Sequence, residues 1–196
     1  MITKISHHQT AMIILHEIYG ANRFIEETCS AYHEQGFDLF CPDMLRGESF
    51  AYSEAPEAYR NFMNGVGFDY YKDVERLAAR LRRTYPSVFI LGFSVGATIA
   101  WRCCEDSKCN GIVCCYGSRI RDYLQVRPSC PVLLLFAAHD SFDVDRVILQ
   151  LQKKSEVETH KMAAGHGFMD PYSPYSDPEQ AQLSKSYIAD FLQRHA

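Results

Sequence analysis

The sequence lacks a long apolar segment, a basic cluster and low-complexity tracts. None of its apolar runs approaches the roughly 20 residues that a membrane-spanning helix needs, and the first eight residues lack the apolar region of a secretion signal. The formal net charge is −4 and no lysine-rich run occurs, which argues against a nucleic-acid-binding protein. We therefore expect a cytoplasmic monomer or homodimer that acts on a small molecule, without a membrane or a nucleic acid.

The chain also lacks any Cys-x-x-Cys pair, although it contains eight cysteines. Most of them lie in apolar surroundings, and two adjacent pairs occur, Cys103-Cys104 and Cys114-Cys115. An unpaired cysteine in such surroundings packs as a small buried hydrophobic residue. We expect reduced structural thiols, with redox sensing or zinc binding as the alternatives.

The 196 residues are 47% hydrophobic and 22% charged, the balance of one soluble globular domain. Strand-like and helix-like segments alternate along the whole chain, which predicts an α/β fold with a mostly parallel sheet and helices on both faces. In such sheets the ligand site lies at the carboxyl ends of the strands. The predicted strands are 10–16, 37–41, 88–91, 111–116, 131–136 and 157–162, and the predicted helices are 22–35, 54–63, 70–84, 97–106, 144–154 and 178–194.

Residues 92–96 read Gly-Phe-Ser-Val-Gly and lie between a predicted strand and a predicted helix. In this position the pattern is typical of a nucleophile elbow, a turn so tight that the serine backbone is strained. Gly92 and Gly96 lack the Cβ atoms that would collide there. The hydroxyl of Ser94 is then exposed beside a helix N-terminus, which stabilises developing negative charge. The alternative is a glycine-rich turn with a helix-capping serine.

Two further candidates follow later predicted strands. Asp140 comes after strand 131–136, and His166 comes after strand 157–162 between two glycines that favour an exposed turn. The order Ser94, Asp140, His166 is that of the α/β-hydrolase triad. In such a triad the imidazole takes the serine proton, and the carboxylate holds the imidazole and stabilises its charged form.

Other residues compete for the acid and base roles. Asp143 and Asp145 lie close to Asp140 in the sequence, but Asp143 is better placed to cap the following helix. His139 is interpreted as a loop residue rather than a second base.

Residues 15–20, Leu-His-Glu-Ile-Tyr-Gly, form the end of the first predicted strand and the loop directly after it. The loop at this position supplies the second oxyanion donor in α/β-hydrolases. We therefore expect the backbone amides of Ile18 and Val95 to bind the oxyanion. Glu17 is unusual beside such a hole, and the alternative to a functional role is a structural ion pair with Arg46 or Arg60.

Together these residues resemble the dienelactone hydrolase family of α/β-hydrolases over nearly the whole chain. The resemblance is carried by the segments 16–20, 37–43, 92–96 and 165–171 together with Asp140. It implies one compact α/β-hydrolase domain, residues 1–196, without a large cap domain. It also implies hydrolysis of an ester or lactone with no cofactor and no metal.

The chain departs from the family in its nucleophile. Founding members have a cysteine at the elbow, where this chain has Ser94, and a glutamate matching Glu17 helps to ready that cysteine. With a serine at the elbow, three roles stay open for Glu17: it positions Ser94, it pairs with an arginine, or it contacts substrate.

The second departure concerns specificity. The family binds an anionic substrate through arginines, one of them shortly after the catalytic histidine. The corresponding segment 168–171 has no arginine and offers an acidic residue, Asp170, which would repel an anion. Arg60 is the candidate match for the other arginine. We therefore expect a neutral ester, thioester or lactone as substrate.

Four aromatic residues lie in the sequence segments that form the proposed site. They either line a pocket for a small apolar group or pack the surrounding loops, and the sequence leaves both roles open. These residues are Tyr19, Phe168, Tyr172 and Tyr175.

The sequence thus predicts a serine hydrolase in which Ser94 forms an acyl-enzyme that water then releases. An acyltransferase with the same triad is one alternative, because an alcohol or thiol can replace the water. A ligand-binding module without catalysis is the other.

Overall fold

A seven-stranded sheet runs through the molecule, whose computed structural model describes residues 1–105 and 107–196. The strand order is β1-β3-β2-β4-β5-β6-β7, with β1 antiparallel to β3 and all other pairs parallel. The strands are β1 Ile2–Lys4, β2 Thr10–Leu15, β3 Phe37–Cys41, β4 Ser87–Phe93, β5 Gly111–Cys115, β6 Val132–His139 and β7 Val157–Gly165. The helices are α1 Arg23–Glu34, α2 Ala55–Gly65, α3 Tyr71–Leu81, α4 Val95–Arg102, α5 Val144–Leu151 and α6 Pro178–His195.

Helices cover both faces of this sheet, as predicted. Alternate residues of β2 point to opposite faces, so that Ile13 belongs to one apolar core and Ile14 to the other. The helices α2 to α5 cover the first core, and α1 and α6 cover the second. Burial on both faces is the reason why the central strands read as continuous apolar runs.

Side-chain caps fix the starts of three helices. Asn22, Asp143 and Asp177 each accept a hydrogen bond from the backbone amide three residues later, at 3.2, 3.0 and 3.0 Å. These bonds satisfy amides that have no partner within the helix. The predicted capping role of Asp143 is therefore confirmed.

Some element boundaries differ from those predicted. Strands β6 and β7 end three residues later than expected, because their pairing continues past a bulge to His139 and Gly165. As a result Asp140 and His166 follow directly after paired strands. The short edge strand β1 was not predicted. Helix α4 begins at Val95, two residues earlier than predicted, and ends at Arg102; its predicted end near Asp106 lies outside the described residues.

All eight cysteines are buried and none of them forms a disulfide. Their apolar surroundings are those of structural residues, in agreement with the interpretation of the sequence. Within the described part of the chain, no helix has both the length and the apolar character needed to cross a membrane.

Candidate active site

The turn between β4 and α4 places Ser94 in a strained conformation, with φ +52° and ψ −113°. A Cβ atom on Gly92 would lie 2.3 Å from the carbonyl oxygen of Gly96. A Cβ atom on Gly96 would lie 2.4 Å from the carbonyl oxygen of Leu15. Both glycines are therefore required by close backbone contacts, and the turn is a nucleophile elbow in its geometry.

Ser94, His166 and Asp140 form one chain of hydrogen bonds. The Ser94 Oγ lies 2.9 Å from His166 Nε2, and His166 Nδ1 lies 2.8 Å from Asp140 Oδ2. Since the carboxylate can only accept, Nδ1 carries the proton and Nε2 is left to accept the proton of the serine. The amide of Ser141 donates to Asp140 Oδ1 at 2.6 Å and holds that carboxylate in place.

The pKa values of the pair support this arrangement of protons. Burial lowers the pKa of His166, but the hydrogen bond and charge of Asp140 and the charge of Glu17 outweigh it, so the pKa is raised. Burial raises the pKa of Asp140, but the donors on His166 and Ser141 outweigh it, so the pKa is lowered. Asp140 is therefore ionised at neutral pH and stabilises a charged imidazole.

The competing residues have other partners. Asp143 caps α5, and Asp145 forms an ion pair with Lys161 at 2.6 Å. His139 is the last residue of β6, and its side chain is exposed. Of the three candidate aspartates, Asp140 is the one bonded to His166.

The loop after β2 lies against the start of α4. Gly96 packs on the carbonyls of Leu15 and His16, and Val95 is the first residue of α4, where an amide has no acceptor within the helix. His16 is buried and fixes the loop, since its Nδ1 donates to the Glu17 carbonyl at 2.7 Å. Its Nε2 accepts from the Met44 amide at 2.9 Å.

Glu17 is buried, with 5% of its surface exposed. Burial raises its pKa to about 7, although His166 and the Tyr116 hydroxyl partly oppose the shift. No arginine contributes to this pKa, and Arg46 and Arg60 are exposed at the surface. The alternative role of Glu17, a structural ion pair with Arg46 or Arg60, is therefore wrong.

Tyr116 is the part of the site that the sequence analysis missed. It follows β5 with φ +43° and is fully buried, and its ring centroid lies 5.3 Å from that of His166. Its hydroxyl and Glu17 Oε1 are buried and lack hydrogen bonds of good geometry. Its place at the carboxyl end of a strand was the signal that could have revealed it.

Two residues of the segment after His166 are structural. Phe168 is fully buried and packs edge-to-face on Tyr116, which is the packing role among the two that the sequence leaves open. Asp170 is also fully buried and accepts hydrogen bonds from the Tyr52 hydroxyl at 2.6 Å and the Tyr172 amide at 2.8 Å. Its carboxylate therefore anchors a loop instead of facing an anionic ligand.

An open cavity of about 510 Å³ lies beside Asp140 and His166. Among its aromatic neighbours Tyr175 is 66% exposed, whereas Tyr19 packs on Tyr52 with ring centroids 4.8 Å apart. Tyr172 is held at α1 by a hydrogen bond to Glu27. The residues that line the cavity include no lysine or arginine: Ser118, His139, Asp140, Ser141, Gly165, His166 and Tyr175.

Comparison with known proteins finds relatives that match most of the chain. An uncharacterized protein of Bacillus subtilis (strain 168), YczH, is 38% identical over 170 residues, which is 84% of this chain and 83% of YczH. The carboxymethylenebutenolidase of Pseudomonas sp. (strain P51) is 22% identical over 93% of this chain and 84% of its own.

Solved structures share the fold. A Klebsiella pneumoniae subsp. pneumoniae protein, provisionally described as a dienelactone hydrolase, superposes with a TM-score of 0.80 at 18% identity, covering 97% of this chain and 89% of its own. The dienelactone hydrolase-like promiscuous phosphotriesterase P91 from metagenomic libraries superposes with a TM-score of 0.68 at 16% identity. The match covers 97% of this chain and 88% of the P91 chain. The model of the dienelactone hydrolase family matches residues 1–196. The chain therefore belongs to the dienelactone hydrolase family and is a hydrolase with the α/β-hydrolase fold.

Proposed function

We propose that this protein is a serine hydrolase that cleaves a small neutral ester, lactone or thioester through an acyl-enzyme on Ser94. The observation that carries the proposal is the chain from Ser94 Oγ to His166 Nε2 at 2.9 Å and from His166 Nδ1 to Asp140 Oδ2 at 2.8 Å. A serine hydroxyl is a weak nucleophile at neutral pH, and a neutral imidazole within hydrogen-bond reach is the base that it needs.

The reaction follows from these contacts. Ser94 Oγ attacks the carbonyl carbon while its proton passes to His166 Nε2, and Asp140 stabilises the imidazolium. The amides of Val95 and Ile18 bind the oxyanion of the tetrahedral intermediate. The intermediate collapses as His166 returns the proton to the leaving alcohol or thiol. A water molecule, deprotonated by His166, then releases the acid and restores Ser94.

The cavity beside the site supports a neutral substrate. Its lining contains the carboxylate of Asp140 and no cationic lysine or arginine, and a buried carboxyl group, Glu17, lies close to His166. A substrate carboxylate would lack a partner here and would face negative charge. We also propose that the enzyme works in the cytoplasm, because its eight unpaired cysteines suit a reducing compartment.

Fluorophosphonate labelling followed by intact-protein mass spectrometry tests the proposal. The wild type should gain one phosphonyl group, and Ser94→Ala should gain none. Ser118→Ala, which changes a serine that lines the neighbouring cavity, should still gain one. Turnover of p-nitrophenyl butyrate should fall by roughly a millionfold in Ser94→Ala, because the three residues act as a unit.

Two results would contradict the proposal. Absence of labelling on folded wild type would mean that Ser94 is not activated, and would favour a ligand-binding module. Faster turnover of an anionic hemisuccinate ester than of the neutral ester would contradict the assigned substrate class. Product analysis with an added alcohol distinguishes hydrolysis from acyl transfer.

A further inference from the structure

Two histidines and an aspartate come together at the edge of the sheet opposite to Ser94. His8 lies between β1 and β2, His33 lies in the last turn of α1, and Asp38 is the second residue of β3. Their donor atoms all lie within 4.8 Å of one another. Asp38 is paired with Ala11 where the parallel strands begin, whereas Ser94 follows the end of β4. The cluster is therefore independent of the proposed active site.

The imidazole of His33 is already oriented as a metal ligand. Its Nδ1 donates to the backbone carbonyl of Phe37 at 2.9 Å, which fixes the proton there. The Nε2 atom therefore keeps its lone pair and lies 3.0 Å from Ser6 Oγ. Metal-binding histidines are commonly held through the other ring nitrogen in this way, which sets both tautomer and ring direction.

Asp38 supplies a buried carboxylate that is held in place by hydrogen bonds. It is fully buried, and its two oxygens accept hydrogen bonds from the Ser6 amide at 2.8 Å and the Tyr85 hydroxyl at 2.9 Å. Among the described residues these side-chain hydrogen bonds come from neutral groups and not from a lysine or arginine, so a cation would find a carboxylate without a cationic partner there.

His8 completes the set and is the adjustable member. It is half-buried on a loop, and its ring packs edge-to-face on that of His33 with centroids 5.5 Å apart. Zinc bonds of about 2.0 to 2.2 Å bring tetrahedral ligand atoms to roughly 3.4 Å from one another. The separation of up to 4.8 Å between donor atoms must therefore shrink by up to about 1.4 Å. A rotation of the His8 side chain supplies this shift, since its backbone lies in a connecting segment and not in a paired strand.

We propose that His8, His33 and Asp38 bind one divalent transition-metal ion, Zn²⁺ in the first instance, with Ser6 Oγ or water as the fourth ligand. Two imidazoles and a carboxylate are a set that zinc accepts. The ion would tie the segment before β2 to α1 and β3. Because the ion would lie at the edge of the sheet opposite to Ser94, its role is to stabilise the fold.

Isothermal titration of chelator-treated full-length protein with ZnCl₂ tests this site. The wild type should bind one equivalent, and the midpoint of thermal unfolding should rise by roughly 5 to 10 °C at a hundredfold excess over Kd. His8→Ala should weaken binding at least tenfold. His7→Ala changes the exposed neighbouring histidine and should bind as the wild type does. Circular dichroism checks that each variant is folded.

A second variant distinguishes zinc binding at this cluster from zinc binding at His166 in the proposed active site. His166→Ala should keep the zinc stoichiometry and affinity of the wild type, even though it loses hydrolase activity. Absence of zinc binding to the folded wild type would overturn the proposal. So would unchanged affinity in His8→Ala, or loss of binding in His166→Ala alone. The absorption bands of bound Co²⁺ should show a tetrahedral site in the wild type and disappear in His8→Ala.

Discussion

Glu17 is a residue whose charge the fold disfavours. It is buried beside Tyr116 and His166, and within the described part of the chain its Oε1 atom has no hydrogen-bond partner of good geometry. Burial raises its pKa from 4.5 to about 7. The folded state therefore holds a proton that the unfolded state releases between these two pH values, so stability falls as pH rises through this window.

Glu17→Gln should remove that pH dependence. A neutral amide of the same shape carries no ionisation cost, so the variant should gain stability relative to the wild type as pH rises from 4.5 to 7, by about 3 kcal/mol at most. Urea unfolding of both proteins at pH 5 and pH 8 measures the difference. If the difference in unfolding free energy between variant and wild type is the same at pH 5 and pH 8, Glu17 is not protonated preferentially in the folded state.

The sequence predicts site residues where a motif or a chain order restricts them. Ser94 is restricted by its glycines, and Asp140 and His166 by their places after two strands. The burial of Asp170 and Phe168 was not predictable in this way, because the direction of a side chain in an irregular segment depends on its tertiary partners. For Asp170 that partner is Tyr52, which is 118 residues away in sequence.

The elbow is the element on which the geometry of the site depends. Gly92 and Gly96 bring β4, α4 and the loop after β2 into backbone contact. The strained φ of Ser94 is maintained only because these neighbours restrict it, as is common at functional sites.

Gly96→Ala should therefore disrupt both stability and the site. Its Cβ atom would lie 2.4 Å from the Leu15 carbonyl oxygen and 2.7 Å from that of His16, and backbone atoms cannot move away as a side chain would. We expect a loss of about 3 kcal/mol or more in unfolding free energy and loss of fluorophosphonate labelling. Gly65→Ala, whose Cβ would have no neighbour within 4 Å, serves as the matched control for denaturant unfolding.

If Gly96→Ala labels at the rate of the wild type and unfolds at the same urea concentration, the contact between α4 and the loop after β2 is not essential.

The ends of β6 and β7, beside the candidate active site, were harder to predict than the strands themselves. The extra residues of β6 and β7 are small or polar, and only their pairing with each other keeps them in the sheet.

At the scale of the whole molecule, the alternation of strands and helices was sufficient to predict a parallel sheet with two covered faces. The antiparallel edge strand β1 was not predicted, because a strand of three residues, none of them buried, carries no clear pattern. The cluster of His8, His33 and Asp38 was not predicted for a related reason: the pairing of β3 with β1 and β2, a tertiary feature, brings the segment before β2 close to the end of α1.

The eight buried cysteines report on how the whole fold opens. The least buried of them, Cys109, is 8% exposed, and burial raises the pKa of most of these thiols, including Cys103 and Cys114. A thiol reagent needs an exposed thiolate, so native protein should react with less than one equivalent of Ellman's reagent within minutes. In guanidinium chloride all eight should react at once, without prior reduction. In the native protein a buried thiol reacts only after the fold opens. The rate of this slow reaction should therefore rise as the unfolding free energy falls across variants. Rapid reaction of one or more native cysteines, or fewer than eight after denaturation, would contradict a core of reduced thiols.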